Sequence, residues 1–256
     1  MGALISVATM AAVFWAAAPF VIEWSWFNTR AALIFAACGI IFPAISQRLQ
    51  VASVVHVGPA LTSAMGSFAP FFAVVLAVAF LGEQMNLQGS AGMALMLAGL
   101  LVSAIGPGRG LPRAFPLIAL LFPLGASLAR GVMQPTAKFG FAEIDSPFFA
   151  TLVMSTVATG VLFLWMLKDR SNSPLRQSRT GNLYFVLNGF LIGGGILSLQ
   201  LGISYGSVSL AAPLSSTSPL WTLLLGVLFF RNEHLTQRHL VMAVLVVAGS
   251  ILVVTR

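Results

Sequence analysis

The chain has 256 residues, 58% of them hydrophobic and only 7% charged, with a mean hydropathy of +0.97. A soluble domain carries about a quarter charged residues, so too few are present to cover an aqueous surface, and most of this one faces lipid. The net charge of +7 comes from scattered residues with no basic run interleaved with aromatics, which argues against a nucleic-acid partner and leaves the excess as topology information.

Apolar runs predict roughly nine membrane spans, over 2–20, 31–55, 58–81, 89–106, 114–135, 147–167, 183–204, 207–230 and 238–255. The first lacks a charged leading segment, so it does not read as a cleavable signal peptide. Trp24 and Trp26, in the first break, suit a membrane interface. Cys38, the single cysteine, lies inside the second span as a small hydrophobe, with no second cysteine for a disulfide or thiolate cluster. Arg48, Gln50 and His56 sit in or at the end of that same span.

The third span holds Pro70 and ends in the polar break Gly82-Glu83-Gln84. The fifth carries Arg130 and Gln134, which at ~100° per residue are about 40° apart and share one face. Pro135 follows and is expected to kink the helix, with Lys138 beyond it either as a second cation for a carboxylate or phosphate on the substrate or as an interfacial anchor. The stretch KDRSNSPLRQSRT from Lys168 reads as a solvated loop. Gln200 lies in the seventh span. Tyr205 and Trp221 flank the serine-rich entry to the eighth, which holds Pro219 and ends in a break containing Glu233.

One stretch is written twice. SFAPFFAVVLAVAFLGEQMNLQ (67–88) and STSPLWTLLLGVLFFRNEHLTQ (216–237) share a serine, a proline three places on, an apolar run and a glutamate in a polar break, with Pro70 and Pro219 about 150 residues apart. MALMLAG (93–99) and MAVLVVAG (242–249) follow the breaks. Gln50 and Gln200 precede the prolines one residue out of register, which makes a shared substrate site an expectation. Segment 2–20 corresponds loosely to 147–167, and segment 114–135 has no counterpart in the first half. The predicted fold is an all-α, multi-pass bundle of two repeats, 1–108 with four helices and 114–256 with five. An odd number of spans per full repeat inserts the second half upside down relative to the first.

The string LGISYGSVSLAAPLSSTSPLWTLLLGVLFF from Leu201, followed by a glutamate break and a closing helix with Ala248-Gly249, resembles the EamA-like repeat of the drug/metabolite transporter superfamily. GPALTSAMGSFAPFFAVVLAVAFLGEQ from Gly58 resembles it too, with the Gly-Glu pair at Gly82-Glu83. The resemblance covers essentially the whole chain. It implies two five-helix repeats, hence a first helix missing before Met1, and export or exchange of small metabolites, amino acids or toxic compounds. It also implies both termini inside the cell. The charge count gives a different orientation: Arg109, Arg113, Lys168, Arg170, Arg176, Arg179, Arg231 and Arg238 collect on one side, against Arg30, Lys138 and Arg256 on the other, which makes the first side cytoplasmic.

Polar side chains inside spans mark candidate sites, since they are costly in lipid. The candidates for binding substrate are Arg48, Gln50, Arg130, Gln134, Gln200, Tyr205 and Trp221. The candidates for helix kinks or gating are Pro70, Pro219, Glu83 and Glu233, the prolines because they sit inside helices and free a carbonyl, the glutamates because a carboxylate at the start of the last helix of each half meets its dipole. No Asp or Glu lies deep in a span, which leaves His56 as the nearest proton-active side chain.

His56, His234 and His239 supply no zinc-protease pattern, and no residue set calls for a cofactor or metal. The expected function is transport of an amino-acid-like or anionic metabolite across the cell membrane by alternating access, by a monomer or homodimer. A broad-specificity drug efflux carrier is the alternative, and a membrane-embedded enzyme is the rival class.

Overall fold

The computed structural model describes residues 2–104, 117–168, 179–218, 220–221, 224 and 237–255. Among these every regular element is helical, as the absence of water demands: a helix satisfies its own backbone hydrogen bonds inside lipid. The helices are α1 (Gly2–Val21), α2 (Arg30–Gly39), α3 (Ser46–Gly66), α4 (Ala69–Leu81), α5 (Leu87–Ala104), α6 (Leu121–Phe141), α7 (Pro147–Lys168), α8 (Arg179–Tyr205), α9 (Val208–Ser215) and α10 (Gln237–Val254). A π-helical segment, Ile40–Ile45, joins α2 to α3. Gly2–Val21, Arg30–Gly58, Pro147–Lys168 and Gly181–Tyr205 are long and apolar enough to cross a membrane, and shorter apolar helices cover Ala69–Leu81, Leu87–Val102 and Leu240–Val254.

The chain forms two compact units. One comprises 1–47 and 136–206, the other 48–135 and 207–256. Each therefore takes helices from both halves of the sequence.

In the first unit α1 lies against α7. Phe14 meets Phe148 with ring centroids 4.9 Å apart, Trp15 Nε1 donates to Thr156 Oγ1 at 2.8 Å, and Val7 packs in a cluster with Ala158 and Leu162. Low numbers on α1 face high numbers on α7, so the two run antiparallel. Trp15, Trp24 and Phe27 stack beside them.

In the second unit α5 and α10 pack along a seam of small residues and methionines. A Cβ on Gly92 would stand 2.7 Å from the Gly249 carbonyl oxygen, and one on Gly249 would stand 2.5 Å from that of Gly92. Only glycine at both places lets the backbones approach this closely, and in lipid such packing replaces the hydrophobic drive between helices. Met96, Met242 and Val246 fill the seam. Gln88 Nε2 donates to Thr255 Oγ1 at 2.8 Å, so these helices also run antiparallel. In both units, then, a helix of the first half lies antiparallel to its counterpart in the second, as inverted repeats require.

The expected continuous spans 58–81 and 207–230 are interrupted. Within α3, Gly58 takes φ 83° and ψ 164°, a conformation essentially reserved for glycine. A helical piece follows to Gly66, then a turn, then α4. The second half repeats the plan: α8 ends at Tyr205, Ser207 is extended, α9 runs for eight residues, and a turn at 216–217 precedes further helical residues.

Pro70 accordingly stands in the first turn of α4, not several residues inside a helix. There its missing N–H removes no bond, and its fixed φ suits helix initiation. Pro219 and Glu233 lie outside the described residues. The fifth span also differs from expectation: α6 continues through Pro135 to Phe141.

Candidate functional site

One set of polar residues of the second unit lies where α3 and α6 face each other. On α6, Ser127, Arg130 and Gln134 follow at steps of three and four and so form one stripe. On α3, Gln50 and Ser53 do the same. Arg130, at the middle of α6, is half-buried and donates a guanidinium hydrogen bond to Gln50 Oε1. Such a charge–amide bond is stronger than one between neutral groups and holds the guanidinium at a fixed place inside an apolar span.

The surroundings are polar but largely self-satisfied. Ser127 Oγ donates to the carbonyls of Met65 at 2.6 Å and Pro123 at 2.9 Å. Ser53 and Thr62 share a 2.6 Å hydroxyl contact, and Thr62 Oγ1 reaches the Gly58 carbonyl at 2.7 Å. Met65 lies in the last turn of the helical piece that ends at Gly66 before the turn into α4, so Ser127 ties α6 to that break. One turn on, the backbone of Gly131 packs against Phe72 and the Ala69 carbonyl. Arg130 is thereby placed beside the interruption of a helix, where backbone polar groups are left unpaired by the helix itself.

Gln134 is 5% exposed, and its Oε1 has no hydrogen-bond partner among the described residues. Gln50 serves Arg130 in the second unit, and Gln200, fully buried in the first, donates through Nε2 to Met154 Sδ at 2.9 Å. Arg48 is exposed, on a different side of α3 from Gln50. Tyr205 and Trp221 are exposed too, at 77% and 58%. His56 is exposed, stacks on Phe122 with centroids 5.0 Å apart and donates from Nδ1 to the Ala52 carbonyl.

Glu83 does not cap the helix that follows it. Its Oε1 and Oε2 accept the backbone N–H groups of Val208 and Ser209, each at 2.8 Å. A carboxylate from the first half thus closes the N-terminus of α9 in the second, where orphan N–H groups and the positive helix end both favour an anion. The position of Glu83 is set by Gly82, which ends α4 in the left-handed conformation at φ 67°. A cavity of about 390 Å³ adjoins this contact, lined by Glu83, Gln84, Met85, Asn86, Ser207 and Ser209.

Lys138 plays the complementary part in the first unit. It was expected to anchor at the interface, yet its Nζ donates to the carbonyls of Ile203, Ser204 and Gly206 at 2.7, 2.9 and 2.8 Å. A cation on carbonyls at and just beyond the end of α8 satisfies acceptors that the helix leaves open. Ser127 and Lys138 are the residues whose tertiary role sequence reasoning missed. Ser127 was detectable by its helical spacing from Arg130, whereas the carbonyls that Lys138 holds carry no sequence signal.

Among the described residues no group of His, Cys, Asp and Glu is arranged to hold a metal ion. The sequence profile of the EamA-like transporter family matches residues 3–105 and 117–255. No curated protein sequence matches the chain. A solved structure, titled only as the crystal structure of a protein, is similar over 97% of this chain and 84% of its own, with a TM-score of 0.76 and 20% identity; that likeness concerns the fold. With two profile matches that together span nearly the whole sequence, the chain belongs to the EamA-like transporter family and is an integral membrane protein that transports small molecules.

Proposed function

We propose that the chain carries a small organic anion or zwitterion of amino-acid size across the cell membrane by alternating access, with Arg130 as the ligand for its anionic group. The observation that carries this reading is a guanidinium at the middle of α6, held by Gln50 beside the break that precedes α4. A charge inside a span is costly unless it lines a path or finds a partner. A carboxylate or phosphate on the substrate matches the planar, multi-donor guanidinium better than a cation or a neutral drug does. Export or exchange is the direction expected of such a carrier, and no catalytic step is invoked.

A ligand that binds the folded protein raises its melting temperature. The test is a thermal-shift screen of the purified chain against amino acids, organic acids and cationic dyes, repeated with Arg130→Ala. Anionic or zwitterionic compounds are expected to stabilise the wild type and to leave the variant unmoved. Stabilisation by cationic dyes alone, or equal stabilisation of both proteins by the acids, contradicts the reading.

A further inference from the structure

The polar groups of the α3–α6 face are nearly all engaged within the protein. Gln50 Oε1 accepts from Arg130, Ser127 donates to two carbonyls, and Ser53 and Thr62 bond each other. Among the described residues of that face Gln134 Oε1 is the exception: it is an acceptor on a side chain only 5% exposed, with no partner among them. Native proteins leave few buried polar atoms in this condition, because each forfeits its hydration without return. Leucine or methionine at this place would avoid the penalty. Gln134 stands four residues from Arg130, on the same face of α6 and about one helical turn away. Gln200 Oε1 is likewise buried without a partner among the described residues, but its amide rests on Met154.

We infer that Gln134 determines specificity: its carbonyl accepts a hydrogen bond from an N–H or O–H group that the carried molecule bears next to its anionic group. Resting on the reading of Arg130 as the anion ligand, this narrows the substrate to α-amino or α-hydroxy acids and excludes plain carboxylates of the same size. Arg130 supplies donors for the acid group, and Gln134 supplies the acceptor for its neighbour. Two such groups lie on adjacent atoms of an α-amino acid, a separation that side chains one turn apart can span. A site that pairs a ligand's donor discriminates strongly against the analogue lacking it, since the site's own polar group is then left unpaired.

The experiment measures affinity of the purified chain for matched pairs: L-alanine and propionate, L-lactate and propionate, L-phenylalanine and 3-phenylpropionate, L-glutamate and glutarate. The wild type is expected to bind the donor-bearing member of at least one pair about tenfold or more tightly. Gln134→Leu is expected to bring the two members of that pair within about twofold while keeping the affinity for the plain acid. It is also expected to raise the melting temperature of the unliganded protein, because an unpaired buried acceptor has gone. Arg130→Gln is expected to weaken both members alike. If Gln134→Leu keeps the preference while Arg130→Gln weakens both acids, the role of Gln134 is refuted and the anion site stands. If no pair binds, or Arg130→Gln changes neither member, both the inference and the reading beneath it fall.

Discussion

Glu83 offers the sharpest test of how the two halves are joined. Its carboxylate accepts two backbone N–H groups at the start of α9, both at 2.8 Å. Glu83→Ala leaves these donors to water or unpaired. Loss of an N-terminal cap costs about 0.5–2 kcal/mol, and removing the charge from the helix end costs about 0.3–1 kcal/mol more at a partly exposed site. Because Glu83 is half-buried and makes both bonds at once, a total of ~2 kcal/mol is expected. For a chain of this size that corresponds to a fall of about 4–8 °C in melting temperature. Glu83→Gln keeps one acceptor and loses the charge, so it belongs between wild type and alanine.

Local opening is read at Val208, which is fully buried. In a Cys38→Ala background, a Val208→Cys thiol is expected to label with maleimide slowly in the otherwise intact chain. The same thiol is expected to label roughly tenfold or more faster when Glu83 is alanine, as ~1.4 kcal/mol of lost local stability implies. Unchanged melting together with unchanged labelling would refute the view that Glu83 secures α9.

Further outcomes follow from the same geometry. Gly92→Val places a side chain against the Gly249 carbonyl and is expected to destabilise the α5–α10 pair by about 1–3 kcal/mol or more, measured as a lower melting temperature in detergent; an unchanged value would mean the seam is looser than its distances. Lys138→Met removes the donor shared by three carbonyls at the end of α8. Amide exchange at 203–207 is expected to accelerate, with α5 and α10 unaffected, and uniform acceleration throughout would contradict a local capping role.

The inverted architecture was legible in the sequence because it is written in composition and order. Apolar runs set the helices, and the doubled strings around Pro70 and Pro219 mark the repeat. The interruptions inside spans 58–81 and 207–230 were not read, since an apolar run looks the same whether one helix or two half-helices traverse it. Gly66-Ser67 ahead of Pro70 fits a stop followed by a helix start, where proline belongs in the first turn. Arg130, Gln134 and Gln50 each stand out in the sequence as polar residues in lipid, but the pairing of Arg130 with Gln50 depends on how α3 packs on α6, across 80 residues of sequence. The sequence places Glu83 near the start of the next helix, whereas the helix N-terminus it reaches is 125 residues away. Helical periodicity gives the face a residue shares, whereas the neighbour that meets this face is decided by tertiary packing.

Substrate counterflow in proteoliposomes tests the central claim most directly. Vesicles loaded with an acid that stabilises the purified protein are expected to accumulate the labelled acid through the wild-type chain. Arg130→Ala is expected to abolish this accumulation while inserting and melting as a folded protein. Equal flux through the two would contradict the assignment of Arg130 to the transport path.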